Sequence, residues 1–222
     1  DLEQFAYAAS HDLQEPLRMI NNFSQLLGRR LKPHIDDQAQ VYLDFISDSV
    51  HRMSDLIKGL LEYSRVGRLE EPLKASNIQK VIEKKLLDYA KLIEEKQATI
   101  QIGSMPTNLL CVPNQIGIVF ANLIHNGLKF NHHPHPTIQI EATKEADSWL
   151  FKVSDNGIGI AKEYQHQIFE IFRRLHTHDQ YSGTGIGLSL TRKIVERHGG
   201  KIWIDSSPGE GSTFYFRISD NP

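Results

Sequence analysis

Apolar side chains in the first 60 residues recur in alternating steps of three and four, the feature that most constrains how this chain folds. Such spacing lines one seam of an α-helix with apolar groups, as in coiled coils and helical bundles. The pattern therefore predicts two long amphipathic helices. Their seams are Ala6, Ala9, Leu13, Pro16, Ile20, Phe23 and Leu27, and then Leu43, Ile46, Val50, Met53, Ile57 and Leu60.

The pattern stops around Lys32-Pro33-His34, which predicts a short connection between the two helices. Asp36 or Asp37 fits the N-cap position of the second helix. Two helices joined in this way form an antiparallel hairpin. Because one hairpin has too little core to stand alone, we expect two copies to form a four-helix bundle, and hence a homodimer.

Residues beyond the hairpin change to mixed α/β patterning. Residues 67–76 contain Gly, Pro and charged residues, which is typical of a linker. We therefore expect domains at residues 1–66 and 77–222. Antiparallel strands beside three helices predict a two-layer α/β sandwich for the second domain. The helices are expected at 78–95, 113–130 and 184–198, and the strands at 98–102, 108–112, 137–143, 149–154, 201–205 and 212–218.

The amino-acid composition limits the binding partners and the cellular compartment that we expect for this chain. The net charge is −2, from 25 basic and 27 acidic residues, so there is no case for a nucleic-acid or anionic-membrane binder. The single cysteine, Cys111, suits a reducing compartment, and we expect a cytoplasmic location. No apolar run approaches membrane-span length. Asp1 already falls within helical patterning, so we expect a fragment of a longer protein.

Two glycine-rich turns, DNGIGI at 155–160 and SGTGIGLSL at 182–190, carry the first chemical signal. Glycines before a helix N-terminus let backbone N–H groups approach an anion. Asn122, Asn126 and Lys129 share one face of a predicted helix, where a solvated face is the alternative interpretation. Asparagine is a poor helix former, however, and this set offers oxygen ligands for Mg²⁺ and a charge for phosphate.

Five stretches in order resemble the N, G1, F, G2 and G3 boxes of the ATP-binding domain of sensor histidine kinases, within the GHKL ATPase superfamily. They are NLIHNGLKF, DNGIGI, FEIFRRL, GTGIGL and GEGSTF. SHDLQEPLR at 10–18 resembles the phosphoacceptor box of their dimerisation and histidine-phosphotransfer domain, and the forms look closest to phytochrome-type histidine kinases. The resemblance implies an α+β two-domain fold, with a dimeric helical bundle followed by a GHKL-type sandwich.

The resemblance also implies roles for residues at the phosphate end of an ATP site. Asn126 is expected to bind Mg²⁺, with Asn122 beside it near the triphosphate. Lys129 is expected to contact the phosphates, and Arg174 matches an arginine that can approach them. The mobile lid that cradles the phosphates is expected to be shaped by Gly183, Gly185 and Gly187.

At the base end, the resemblance implies that Asp155 accepts a hydrogen bond from the adenine amino group. Gly157 and Gly159 are expected to let the backbone pass close to the base. Thr213 matches a position near the adenine.

The His11-Asp12 pair is the expected phosphorylation centre. His11 lies two residues from both Ala9 and Leu13, so it points away from the seam. Asp12 can hydrogen-bond one ring nitrogen and raise the nucleophilicity of the other, and the resemblance assigns a general-base role to this acid. We expect His11 to be autophosphorylated and to pass the phosphoryl group to an aspartate in the receiver domain of a response regulator. The sensor domain is expected outside this fragment.

Two other functions stay open at this point. A dimeric scaffold would relay conformation without phosphorylation, and a GHKL-type ATPase would hydrolyse ATP to drive a conformational cycle. Separately, His132, His133 and His135 form a histidine-rich stretch, for which a solvated loop is favoured over a metal site because two prolines interrupt the backbone.

Overall fold

The computed structural model describes residues 2–31, 36–66, 71–175 and 183–220. Side chains of the first helix are described from Leu13 onward. The chain divides into two compact units, Asp1–Arg68 and Leu69–Pro222. Within the described ranges, no helix combines the length and apolarity needed to cross a bilayer.

The first unit consists of two long helices that pack against each other, α1 (Leu2–Leu31) and α2 (Asp37–Arg65). Asp36 is the N-cap of α2, as predicted, and its carboxylate accepts a hydrogen bond of 2.7 Å from the Ala39 N–H. Pro16 lies within α1, which continues through it. The predicted connection at residues 32–35 lies outside the described residues.

The stripe of α1 that packs against α2 differs from the predicted seam. Leu17 is buried, whereas Pro16 is exposed. The less exposed positions of α1 are Gln14, Leu17, Asn21, Ser24 and Gly28. The predicted seam of α1 instead stays largely open in the single chain, since Phe23 is 68% and Leu27 50% exposed. On α2, Val50 of the predicted seam is buried, and Phe45, which lies outside that seam, is 70% exposed. Each hairpin therefore carries an apolar face that its own chain does not cover.

The second unit contains the mixed α/β elements in the predicted order. Its helices are α3 (Ile78–Leu87), α4 (Ala90–Glu95), α5 (Pro113–Lys129) and α6 (Gly187–Arg197), with short 3-10 turns at Lys162–Tyr164 and Gln167–Phe169. Its strands are β1 (Lys74–Ser76), β2 (Thr99–Ile102), β3 (Leu109–Cys111), β4 (Thr137–Lys144), β5 (Ser148–Asp155), β6 (Ile202–Ser206) and β7 (Ser212–Ser219).

Three details of this unit correct the predictions. The main sheet has the order β2-β4-β5-β7-β6, and β2 pairs with β4 in parallel, so the strands are not all antiparallel. Lys74–Ser76, expected as the end of the linker, forms β1 and pairs with β3 in a separate two-stranded sheet. The helix expected over 78–95 is broken into α3 and α4 at Asp88 and Tyr89.

The core of the sandwich forms where α5 packs on the sheet. Phe120 of α5 meets Phe151 and Phe216 edge-on, with ring centroids 5.7 and 5.5 Å apart. The two sheet residues stack on each other at 4.9 Å. Strand side chains alternate between this buried layer and an open face, which confirms the two-layer α/β architecture.

A buried histidine joins the two helices of the core. His198, at the end of α6, is only 1% exposed. Its Nε2 accepts a hydrogen bond of 3.1 Å from the Val112 N–H, just before α5, and its Nδ1 lies 2.8 Å from the Ile194 carbonyl oxygen, to which it donates. Only the neutral imidazole can make both bonds. Burial, together with the nearby charge of Arg197, lowers the pKa of His198.

His198→Leu is expected to lower the free energy of unfolding at pH 7.5 by about 1–3 kcal/mol, because the buried Val112 N–H loses its acceptor. Since burial holds the folded-state pKa of His198 below the ordinary histidine value of 6.5, the stability from His198 is present above about pH 6.5 and is lost as the pH falls through the folded pKa. Denaturant unfolding at pH 7.5 and 5.5 should therefore show a smaller pH effect in His198→Leu than in the wild type. An exposed-site control is His166→Leu; an equal pH effect in all three proteins would contradict the assignment.

Candidate functional site

A cavity of about 310 Å³ in the α/β unit brings together residues from five separate stretches of the chain. Nine of the predicted binding residues line it: Asn122, Asn126, Lys129, Asp155, Gly159, Arg174, Gly183, Gly185 and Gly187. Gly157 and Thr213 do not line it. Asn122 and Phe214, 92 positions apart, therefore meet because α5, the end of β5, the start of α6 and the start of β7 converge.

The polar face of α5 forms one wall of the cavity. Asn122 donates from its Nδ2 to the Gly187 carbonyl oxygen at 3.0 Å and to Thr191 Oγ1 at 3.2 Å, so it ties α5 to the start of α6. Asn126 lies one turn further along and also lines the cavity. The amide oxygens of these two asparagines are hard donors suited to Mg²⁺, which characteristically takes few protein ligands and keeps waters and substrate phosphates.

Asp155, the last residue of β5, is the acidic group of the cavity. Its Oδ1 accepts a hydrogen bond of 2.8 Å from the Gly157 N–H, and the Ser212 N–H also bonds to the carboxylate. Burial raises the pKa of Asp155 to about 6, and these two backbone donors only partly oppose the shift. The carboxylate thus has further lone pairs for a ligand donor, in a setting where an unpaired charge is costly.

The glycines of the DNGIGI turn have two different roles. A Cβ on Gly157 would lie 2.5 Å from the Phe130 carbonyl oxygen, so only glycine fits between α5 and Asp155. Gly159 has φ of +69°, and a Cβ there would lie 1.9 Å from the Ser207 carbonyl oxygen. Gly157 therefore fits close to Phe130 while its N–H donates to the Asp155 carboxylate. Gly159 allows the backbone to turn beside the cavity.

Two residues of β7, Ser212 and Phe214, line the cavity, whereas the predicted Thr213 between them does not. Ser212 pairs with Asp155 across the strands, whereas Thr213 pairs with Ser154. Thr213 Oγ1 donates to Ser154 Oγ at 3.1 Å on the other face of the sheet. Because side chains alternate along a strand, a shift of one residue reverses the face.

The start of α6 forms the opposite wall. Gly187 and Leu188, its first two residues, line the cavity, and no side chain caps this helix end. The Lys129 Nζ lies beside Gly183, 2.8 Å from where a Cβ would stand. Burial, followed by the charge of Arg174, lowers the pKa of Lys129. Two cationic side chains and a helix N-terminus make this region suited to an anionic ligand.

Sequence reasoning missed the apolar wall and one histidine. The apolar side chains at the cavity are Phe130, Ile158, Ile160, Ile168, Leu175, Leu188 and Phe214. His125 also lines the cavity and stacks on Tyr89, with ring centroids 5.7 Å apart. Burial, then the charge of Lys129, lowers the pKa of His125. His125 could have been found, because it shares a helix face with Asn122 and Lys129.

The remaining predicted residues lie elsewhere. His11 and Asp12 fall within the span of α1, and their side chains lie outside those that the structure describes. In the histidine-rich stretch, His133 Nδ1 accepts a hydrogen bond of 3.1 Å from the His135 N–H. Across the described parts of the chain, no group of three or more His, Cys, Asp or Glu side chains could hold a metal ion.

The cavity thus combines an apolar slot with one buried hydrogen-bond acceptor and a cationic region. This arrangement suits a planar base that carries an amino group and a chain of phosphates. The family comparison agrees, because residues 111–222 match the family described as histidine kinase-, DNA gyrase B-, and HSP90-like ATPase. The chain belongs to this family, and residues 1–68 match the His kinase A (phospho-acceptor) domain. The two domains together define the class of histidine kinases.

Individual relatives point to the same class. The chain is 46% identical over 218 residues to the phytochrome-like protein Cph1 of Synechocystis sp., covering 98% of this chain and 29% of that protein. The chain therefore spans less than a third of the length of this relative.

Among solved structures, full-length ShkA in complex with AMPPNP has a TM-score of 0.73 at 21% identity, covering 97% of this chain and 45% of that one. Histidine kinase ThkA in complex with response regulator protein TrrA has a TM-score of 0.66 at 22% identity, covering 98% of this chain and 62% of that one. These structural similarities show that this chain shares its fold with both proteins.

Asp155→Asn is expected to raise the free energy of unfolding of the ligand-free protein at pH 7.5 by about 1–3 kcal/mol, since the folded state no longer holds a buried charge. A carboxyl whose folded-state pKa is raised stabilises the fold below its unfolded pKa, and that stability is lost as the pH rises through about 6. The gain should therefore disappear near pH 4. Asp205→Asn, at an exposed aspartate of β6, is the control in denaturant unfolding. If Asp155→Asn raises the free energy of unfolding no more than Asp205→Asn does, the buried charge of Asp155 does not destabilise the fold.

Proposed function

We propose that this chain is the catalytic core of a dimeric sensor histidine kinase, which autophosphorylates His11 with ATP·Mg²⁺ and passes the phosphoryl group to a response regulator. The observation that carries the proposal is the convergence of Asp155, the polar face of α5 and the glycine-rich start of α6 on one cavity. A phospho-acceptor domain precedes this cavity in the same chain. We place the domains at 1–66 and 77–222, with β1 (Lys74–Ser76) joined to the second domain by its pairing with β3.

Adenine is the proposed ligand of the apolar slot, with its amino group donating to Asp155. The triphosphate extends towards Lys129, Arg174 and the N-terminus of α6, where backbone N–H groups and positive charge favour anions. Gly183, Gly185 and Gly187 allow the backbone to follow the phosphates closely.

Asn126, with Asn122 beside it, would hold Mg²⁺ between the amide oxygens and the phosphates. When bound, the ion neutralises charge on the transferring phosphoryl group. The presence of only one or two protein oxygen ligands fits a site that the substrate completes.

The transfer step forms a bond between a ring nitrogen of His11 and the γ-phosphorus as the bond from that phosphorus to the ADP oxygen breaks. Asp12 holds the other ring nitrogen as N–H, which leaves the attacking nitrogen with its lone pair. Positioning and electrostatic stabilisation supply most of the rate in phosphoryl transfer. The phosphoramidate then reacts with an aspartate carboxylate of the regulator, which restores the neutral histidine.

Two partners are proposed, a response regulator and a second copy of this chain. Histidine kinase ThkA, which has a similar fold, was crystallised in complex with a response regulator protein. This complex supports a receiver domain as the phosphoryl acceptor of this chain. The open apolar face of the hairpin, which includes Phe23 and Phe45, supports a second copy of this chain as its cover. A sensor domain outside this chain is the proposed source of the signal.

One assay with γ-labelled ATP distinguishes the proposed kinase from the two alternatives, an ATPase and a scaffold. A kinase gives acid-labile, base-stable label on the protein, an ATPase of the same superfamily gives free phosphate, and a scaffold gives neither. The His11-Asp12 pair favours the kinase, because neither alternative needs it.

His11→Gln is expected to abolish labelling of the protein and to leave ATP affinity within about twofold of the wild type, because the nucleotide cavity lies in the other unit. His51→Gln, at an exposed histidine of α2, is the matched control and should label normally. Filter-bound radioactivity and nucleotide titration supply the two readouts. Full labelling of His11→Gln would place the phosphoacceptor elsewhere.

Asp155→Ala is expected to weaken ATP binding about tenfold or more, since a hydrogen bond to a charged group contributes about 1.5–3 kcal/mol. Discrimination against GTP should fall with it, because guanine presents a carbonyl group where adenine presents its amino group. Competition titration with both nucleotides measures the ratio. ATP affinity equal to that of the wild type would contradict the adenine assignment.

Phe23→Glu is expected to convert the dimer to a monomer, because it places a charge in the apolar face that the second copy covers. Light scattering after size-exclusion chromatography measures the mass. The control, Gln25→Glu, adds the same charge at an exposed polar position of α1 and should leave the dimer intact. A dimer that survives Phe23→Glu would show that another surface forms the interface.

A further inference from the structure

A pair of asparagine side chains connects the end of α5 to the turn that follows Asp155. Asn131, two residues beyond α5, is 3% exposed. Its Nδ2 donates to Asn156 Oδ1 at 2.8 Å, and its Oδ1 accepts from the His133 N–H at 2.9 Å. Both ends of this buried amide are therefore hydrogen-bonded, as burial of a polar group requires.

Asn156 is held from three directions. Its Oδ1 accepts a second hydrogen bond, of 2.8 Å, from the Thr137 N–H at the start of β4. Its Nδ2 donates to the His135 carbonyl oxygen at 3.2 Å. With the bond from Asn131, three hydrogen bonds fix the rotamer of the residue directly after Asp155. They also close the loop between α5 and β4 onto the DNGIGI turn.

The same turn is attached to α5 through the backbone. The Ile158 N–H donates to the Phe130 carbonyl oxygen at 3.0 Å, and the Gly157 N–H donates to Asp155 Oδ1 at 2.8 Å. The turn has two further main-chain attachments, since the Gly209 N–H donates to the Ile158 carbonyl oxygen at 2.8 Å and the Asn156 N–H donates to the Thr137 carbonyl oxygen at 3.4 Å. Because the main-chain bond of Asn156 is long, the shorter side-chain bonds to Asn131 and Thr137 are the contacts that hold this residue beside Asp155.

We propose that Asn156 and Asn131 act as positioning residues, which set the direction of the Asp155 carboxylate relative to the polar face of α5. The proposal rests on the proposed function, because it takes Asp155 as the acceptor for the adenine amino group. Neither asparagine lines the cavity, so neither touches the nucleotide. Their effect reaches the base through the orientation of Asp155.

A positioning role predicts a loss of base selectivity, whereas a purely structural role predicts a loss of stability alone. In the proposed binding mode, the contact between the base and Asp155 distinguishes adenine from guanine, while the phosphate contacts of α5 and α6 are common to ATP and GTP. Loosening the turn should therefore weaken ATP binding and leave GTP binding unchanged or stronger.

The test measures ATP and GTP affinities of the whole chain by competition titration, at a temperature well below each variant's melting point. The variants are Asn156→Ala, Asn131→Ala, the double variant, and Asn108→Ala as an exposed asparagine control. Each of the first two is expected to weaken ATP binding about tenfold, with the ATP-to-GTP selectivity falling by the same factor. The double variant should be little worse than Asn156→Ala alone, because both changes remove the same bond.

Asn156→Asp tests the geometry without removing the side chain. It keeps the oxygen that accepts from Asn131 and Thr137. It also sets a carboxylate oxygen against the His135 carbonyl oxygen and adds a second charge beside Asp155, so at pH 8 it should lose selectivity as Asn156→Ala does. Equal losses of ATP and GTP affinity in the alanine variants, or unchanged ATP affinity, would overturn the positioning role.

Asp155→Asn in the same assay separates this proposal from the proposed function. If Asp155→Asn leaves ATP selectivity intact, the adenine assignment itself fails. If Asp155→Asn loses selectivity while Asn156→Ala keeps it, the adenine assignment stands and only the positioning role is overturned.

Discussion

The packing of α5 on the sheet is the constraint on which the rest of the α/β unit depends. One face of the helix places Phe120 against Phe151 and Phe216, and the other carries Asn122, Asn126 and Lys129 to the cavity. A Cβ on Gly127 would lie 3.1 Å from Asp155 Cβ, so a glycine lets α5 approach the end of β5 this closely. The apolar core therefore sets the spacing of the polar site, because both belong to one rigid helix.

That spacing has an electrostatic consequence. Burial raises the pKa of Asp155 to about 6, so at neutral pH the cavity holds a negative charge that water does not fully solvate. Burial, then the charge of Arg174, lowers the pKa of Lys129 at the other side of the cavity. A ligand that has both an amino donor and phosphates would stabilise both charges, so the groups that reduce stability also select the ligand.

The helical hairpin likewise has a surface that is unfavourable in the single chain, because it exposes large apolar side chains. Leu17 and Val50 are buried within one chain, but Phe23 and Phe45 remain largely exposed. Such a face is costly for an isolated hairpin and suits a four-helix bundle. In both units, the surface that the single chain leaves open supports the proposed partner, which is a nucleotide at the cavity and a second copy at the hairpin.

The sequence by itself determined the features that depend on local periodicity and on residue type. The two long helices, the Asp36 cap, the family and nine residues that line the cavity followed from it, because a helix repeats every 3.6 residues and the motifs are contiguous. Tertiary structure alone decided the parallel pairing of β2 with β4, the use of Lys74–Ser76 as a strand, and Ser212 in place of Thr213 at the cavity. It also decided the bonding of Asn131 to Asn156. The physical reason is that strand register and pairing come from contacts between distant segments, and a shift of one residue turns a side chain to the opposite face of the sheet.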